Sequence, residues 1–101
     1  MVEGAALSQE EGQPRYQIVL TPAANRDLKG LAGNTLRRID RCILSLAENP
    51  RPRTANKLKE GRHGYRHRVG DYRIIYQIDD EALLVTVARV RHRRDVYRRE
   101  S

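Results

Sequence analysis

The chain has 101 residues, no Trp and no Phe, and a formal charge of +7 with a pI of about 10.2. Such a length suits one small domain, whose core must rest on Leu, Ile, Val and five tyrosines and would gain from a protein partner. A single cysteine, Cys42, excludes an internal disulfide and a cysteine-based metal cluster, and no apolar run reaches the ~18 residues of a membrane span.

Residues 1–14 show no period and are rich in Gly, Gln and Glu, so they are expected to form a mobile extension without a function of their own. They lack the basic stretch and apolar core of a secretory signal, and a cytoplasmic protein is expected. "RYQIVL" (15–20) alternates and reads as a first strand. Thr21 followed by Pro22 marks a helix start, with a hydroxyl cap and Pro at the first helical position. Ala24, Leu28 and Leu31 then form one apolar stripe. Gly33 is expected to end that helix in the left-handed conformation, and Asn34 to cap the next. Leu36, Ile39, Ile43 and Leu46 continue at helical spacing until "ENP" (48–50), and Cys42 reads as packing. Residues 22–48 are therefore predicted to form an α-hairpin.

"RPRTANKLKEGRHG" (51–64) reads as a polar, basic connection. The period then changes to two. "YRHRV" (65–69), "YRIIYQI" (72–78) and "ALLVTVARV" (82–90), with short turns at Gly70-Asp71 and Asp79-Asp80-Glu81, predict an antiparallel meander. The predicted class is α+β, with residues 15–101 as a single domain: a strand, an α-hairpin, three strands in one sheet, and helices on one face.

Residues 1–50 carry 6 basic and 6 acidic side chains, whereas residues 51–101 carry 14 and 7, so the whole excess lies in the second half. One-sided basic charge is the footprint of a polyanion binder. Strand alternation puts Tyr65, His67, Val69, Tyr72, Ile74, Tyr76 and Ile78 on the core face, where His67 reads as a structural residue. It puts Arg66, Arg68 and Arg73 together on the open face. Like charges that close repel, so a bound anion would compensate them. The alternative is a solvated face whose charges salt screens.

Residues 15–99 resemble the RelE-type toxins of the RelE/ParE superfamily, the toxic halves of bacterial toxin–antitoxin pairs. The resemblance is carried by "NKL" (56–58), Tyr65-Arg66 with Arg68, "GDYRIIYQ" (70–77) and "HRRDVYRR" (92–99). It implies the same fold with a short C-terminal helix. It also implies a ribosome-dependent endoribonuclease that cleaves mRNA in the ribosomal A site. The family's paired basic strand residues correspond to Arg66 and Arg68, its arginine after the meander turn to Arg73, its terminal-motif arginine to Arg93, and its near-terminal tyrosine to Tyr97.

Attack by a ribose 2′-hydroxyl needs proton removal, charge stabilisation on phosphorus and a proton for the leaving 5′-oxygen, and it requires no metal or other cofactor. Arg73 and Arg93 are expected to stabilise the charge, and Tyr97 to orient a base or move a proton. The RelE pattern has lysines where this chain has Arg66 and Arg68. An arginine holds phosphate but does not lose its proton, so the general base must lie elsewhere. Histidine is the side chain suited to proton transfer near neutral pH, and His92 is the candidate. Lys57 and Lys59 are loop alternatives that would otherwise hold phosphate, and ribosomal RNA is a third source.

The resemblance further implies a cognate antitoxin that masks the basic face and carries its own DNA-binding part, so that operator DNA is met through the antitoxin complex. The 70S ribosome and mRNA are the other implied partners, and no membrane is implied. Two other functions stay open: a ParE-like inhibitor of DNA gyrase, which needs no ribonuclease residues, and an RNA-binding module without chemistry.

Overall fold

The structure, a computed structural model, describes residues 15–58 and 64–94. The extension 1–14, loop residues 59–63 with Lys59, and residues 95–101 with Tyr97 and the expected C-terminal helix lie outside the described residues.

Among the described residues the elements run β1 (Gln17–Leu20), α1 (Pro22–Lys29), α2 (Gly33–Ser45), β2 (Ala55–Lys57), β3 (Gly64–Val69), β4 (Tyr72–Asp79) and β5 (Leu84–His92). The strands form one sheet in the order β1-β5-β4-β3-β2. β1 pairs parallel with β5, and the remaining pairs are antiparallel. The predicted α+β class holds, with two changes. The basic connection contains the short edge strand β2, too brief for a period-two pattern to register. The last strand also begins and ends two residues later than the alternation suggests, at Leu84 and His92.

Thr21 opens α1 as expected: its Oγ1 accepts the Ala24 amide at 3.1 Å, with Pro22 at the first helical position. The same hydroxyl donates to the Ala88 carbonyl at 2.8 Å and so ties the helix start to β5. Gly33 differs from expectation. Its φ of +63° is left-handed, but it opens α2 rather than closing α1, which ends at Gly30. Asn34 makes no cap, and its Oδ1 instead accepts from Arg37 at 2.7 Å.

The core lies between the helices and one sheet face. Ala24, Ile39, Ile43 and Leu46 meet Ile74, Tyr76, Ile78, Val85, Val87 and Val90, with Leu28, Leu31 and Cys42 packed around them. Tyr76 is fully buried, and its hydroxyl donates to the Pro50 carbonyl at 2.7 Å, which satisfies a polar group that would otherwise be costly inside. Half-buried His67 sits on the core side and shares a 3.2 Å hydrogen bond with Thr54 Oγ1, a structural placement.

One irregularity fixes where the charges go. Ile75 pairs with Arg89, but Tyr76 pairs with Val87, so Ala88 is an extra residue in β5. Val85 and Val87 face the core, and continued alternation would send Arg89 and Arg91 inward. The bulge reverses the phase, so Val90 enters the core and Arg89 and Arg91 join the open face.

Candidate functional site

The open face carries a grid of guanidinium groups. Register places Arg68 beside Arg73 and Arg73 beside Arg91, one row across β3, β4 and β5. The next row is Arg66, Ile75 and Arg89. Neighbouring strands lie about 4.8 Å apart, so the cations of one row are within mutual reach. Arg73 is 8 % exposed, where the alternation pattern suggested a solvated side chain. It stands on the predicted face but is flanked by arginines on both neighbouring strands. A buried arginine keeps its charge, so this is a permanent cation with little access to water.

At the end of the face, Arg68, Arg73 and Arg93 line a small polar cleft of about 170 Å³ with Gly70, Asp71 and Tyr72. The two-residue turn shapes its rim. Gly70 has φ of +63°, the left-handed value that suits glycine at the first position of a tight hairpin. Arg93 is docked on this turn: its amide donates to the Asp71 carbonyl at 2.7 Å, and its Nη1 lies 3.8 Å from Asp71 Oδ1. The exposed ion pair is weak, so the backbone bond is what fixes Arg93 beside Arg73.

The other predicted residues are placed as follows. Arg66 shares the open face, one step further along β3. His92 pairs with Tyr72 on the opposite face, where the rings meet edge to face at 5.0 Å and Nδ1 accepts the Arg94 amide at 3.1 Å. Lys57 pairs with Tyr65 in the edge strand, also on the helix side. The structure thus brings Arg66, Arg68, Arg73 and Arg93 together and leaves His92 and Lys57 outside the group. Sequence reading missed Arg91, which strict alternation assigns to the wrong face. The spacing of Val85, Val87 and Val90, two and then three, is the signal that reveals it.

Arg89 is held differently. Asp27 of α1 accepts from its Nε at 2.9 Å, from its Nη2 at 3.1 Å, and from the Val90 amide at 2.9 Å. Burial pushes the Asp27 carboxyl up, but the Arg89 fork and the Val90 amide outweigh it and hold it below the usual carboxylate range. Asp27 therefore takes up an edge amide of β5 beyond the end of β1 and anchors the stretch that carries Arg91.

A larger cleft of about 610 Å³ opens at the far end of the β4–β5 hairpin, lined by Asp79, Asp80 and Glu81 among others. Its charge repels a polyanion, so the small arginine cleft is the better phosphate site despite its size. Asp80 is also engaged in the fold. Arg51 reaches it with Nη1 at 3.2 Å and Nη2 at 2.8 Å, and the Tyr16 hydroxyl donates to it at 2.6 Å, a bond that raises the tyrosine's pKa. Among the described residues no three His, Cys, Asp or Glu side chains converge to hold a metal ion, and no helix is long and apolar enough to cross a membrane.

Comparisons with known proteins agree with this architecture. The family model for the ParE toxin of the type II toxin–antitoxin system parDE matches residues 18–97. Toxin RelG of Mycobacterium tuberculosis is 34 % identical over 85 residues, covering 83 % of this chain and 98 % of RelG. In the RelBE2 toxin–antitoxin complex from M. tuberculosis, one chain superposes with a TM-score of 0.71 at 29 % identity, covering 82 % of this chain and 97 % of that one. The archaeal RelE–RelB complex from Pyrococcus horikoshii also gives 0.71, at 26 % identity, covering 78 % and 96 %. The chain belongs to the RelE/ParE family of type II toxin–antitoxin toxins. Within that family it is a RelE-type toxin, similar to RelG.

Proposed function

We propose that this toxin is a ribosome-dependent endoribonuclease that cuts mRNA in the A site of the 70S ribosome and stops translation in the cytoplasm. The observation that carries the reading is the convergence of Arg68, Arg73 and Arg93 on one small polar cleft. In the reaction, the 2′-oxygen of a nucleotide attacks the adjacent phosphorus, the bond to the 5′-oxygen breaks, and a 2′,3′-cyclic phosphate remains. Arg73 and Arg93 hold the non-bridging oxygens as charge grows on them. Arg66, Arg68 and Arg91 hold neighbouring phosphates.

The 2′-hydroxyl proton needs an acceptor, and no arginine supplies one. Tyr97 orients the base or moves a proton, and His92 and ribosomal RNA are the candidates for the acceptor. His92 faces Tyr72 with Nδ1 already engaged, so His92→Ala is expected to slow cutting less than Arg73→Ala does. Lys57 and Lys59 make outlying phosphate contacts. A cognate antitoxin is the expected protein partner, since the RelBE2 and RelE–RelB relatives were solved as toxin–antitoxin complexes. Operator DNA would be met through that complex.

A second reading is supported by the family model matching residues 18–97, which is that of ParE. On that reading the toxin inhibits DNA gyrase by binding. Mapping mRNA 5′ ends in a translating extract, with and without ribosomes, beside a gyrase supercoiling assay separates the two. Cuts that require ribosomes support the nuclease. Intact mRNA with blocked supercoiling supports the gyrase inhibitor. Intact mRNA, active gyrase and retained RNA binding leave a module without chemistry.

A further inference from the structure

A second cleft lies on the other side of the β3–β4 turn. Thr35 and Arg38 of α2 face Gly70, Asp71 and Tyr72 across a cavity of about 180 Å³, and those three turn residues also line the arginine cleft. The Arg38 guanidinium is seated on Gly70: both Nη atoms lie 3.4 Å, and Cζ 3.7 Å, from where a Cβ on that glycine would stand. Gly70 serves the turn with its φ of +63°, and the guanidinium rests in van der Waals range over it. Arg38 is exposed and makes no hydrogen bond or ion pair with any described residue. The acidic group at the turn, Asp71, pairs with Arg93 on the other side.

Two clefts, each presenting guanidinium, therefore meet at one turn, whose residues Gly70, Asp71 and Tyr72 line both. An extended RNA strand that rounds this turn would present successive phosphates to both. We propose that Arg38, with the Thr35 hydroxyl beside it, binds a phosphate flanking the nucleotide held in the arginine cleft, so that single-stranded RNA crosses the Gly70–Asp71 turn. This rests on the nuclease reading for the identity of the strand. It extends the site from the sheet face onto α2.

The test uses the full chain and a short 2′-O-methyl RNA oligonucleotide, which 2′-hydroxyl attack cannot cleave. Binding is measured across a salt series for the wild type, Arg38→Ala, Arg38→Lys and Arg37→Ala. Arg37 is the matched control, since it is also exposed, carries the same charge one residue away and is bonded to Asn34. Losing either arginine lowers the net charge equally. A direct phosphate contact predicts that Arg38→Ala flattens the log–log salt slope by about 0.7 and weakens binding about five- to tenfold, that Arg38→Lys keeps most of both, and that Arg37→Ala changes affinity less than about twofold. Equal behaviour of Arg38→Ala and Arg37→Ala, or no binding by the wild type, overturns the proposal. Ribosome-dependent cutting, assayed separately, reports on the nuclease reading itself. Cutting without an Arg38 effect sinks the second contact alone, and an Arg38 effect without cutting sinks the nuclease alone.

Discussion

Asp27 accepts three hydrogen bonds, two from the Arg89 fork and one from the Val90 amide, and its side chain is 18 % exposed. Removing it strands the Val90 edge amide and takes two charge-assisted hydrogen bonds from the half-buried Arg89. Asp27→Ala is expected to lower stability by about 2 kcal/mol in chemical denaturation, the scale of charge-assisted bonds. The pH dependence follows from the direction of its shift. The folded carboxyl is more acidic than the unfolded one, so its contribution is complete above the unfolded value of about 4 and is lost as pH falls through the lower folded value. Acid titration of stability should show that loss below about pH 4 in the wild type and a flatter curve for Asp27→Asn. Nothing in the sequence marks Asp27 for this role, because its partners lie 62 and 63 residues away and come near only when α1 packs on β5. Thr21 and Pro22 were legible, since capping is decided by neighbours in sequence.

At the scale of elements, two departures from simple patterns matter. The bulge at Ala88 decides which face receives Arg89 and Arg91. Period-two reading recovers β3 and most of β4 because those strands are regular, and it fails in β5 at the extra residue. The fold class and the open-face placement of Arg66, Arg68 and Arg73 were therefore readable, and Arg91 was not. The burial of Arg73 was also hidden, because it depends on three strands lying side by side. The second departure is Leu83, whose φ of +53° is left-handed in a residue that rarely adopts it. It is 38 % exposed, so little packing is at stake. Leu83→Gly is expected to raise the free energy of unfolding by about 1 kcal/mol by relieving that strain, measured by urea denaturation. A loss of similar size would show that the Leu83 side chain contributes more through contact than its backbone costs.

At the scale of the whole molecule, the described residues are polarised. Arginines gather at the β3–β4 end of the open face, and Asp79, Asp80 and Glu81 stand at the opposite end of β4. Such a distribution draws a polyanion to one end and repels it from the other. With Arg73 and Arg93 on the reacting phosphate and Arg66, Arg68, Arg91 and Arg38 each on a neighbouring one, affinity for single-stranded RNA should fall with salt at a log–log slope of about −3.5 or steeper, five phosphates at about 0.7 each with the outlying lysines adding to them. A slope near −1 would show that most of the grid does not touch the strand. Whether the arginine cleft stabilises charge on the reacting phosphate is decided by single-turnover cutting of mRNA in programmed ribosomes. Arg73→Ala and the exposed-site variant Arg93→Ala would be compared with the wild type, each first shown to be folded by its thermal melt. Both variants are expected to cut about a hundredfold or more slowly than the wild type. Folded variants that cut at the wild-type rate would contradict charge stabilisation by the cleft.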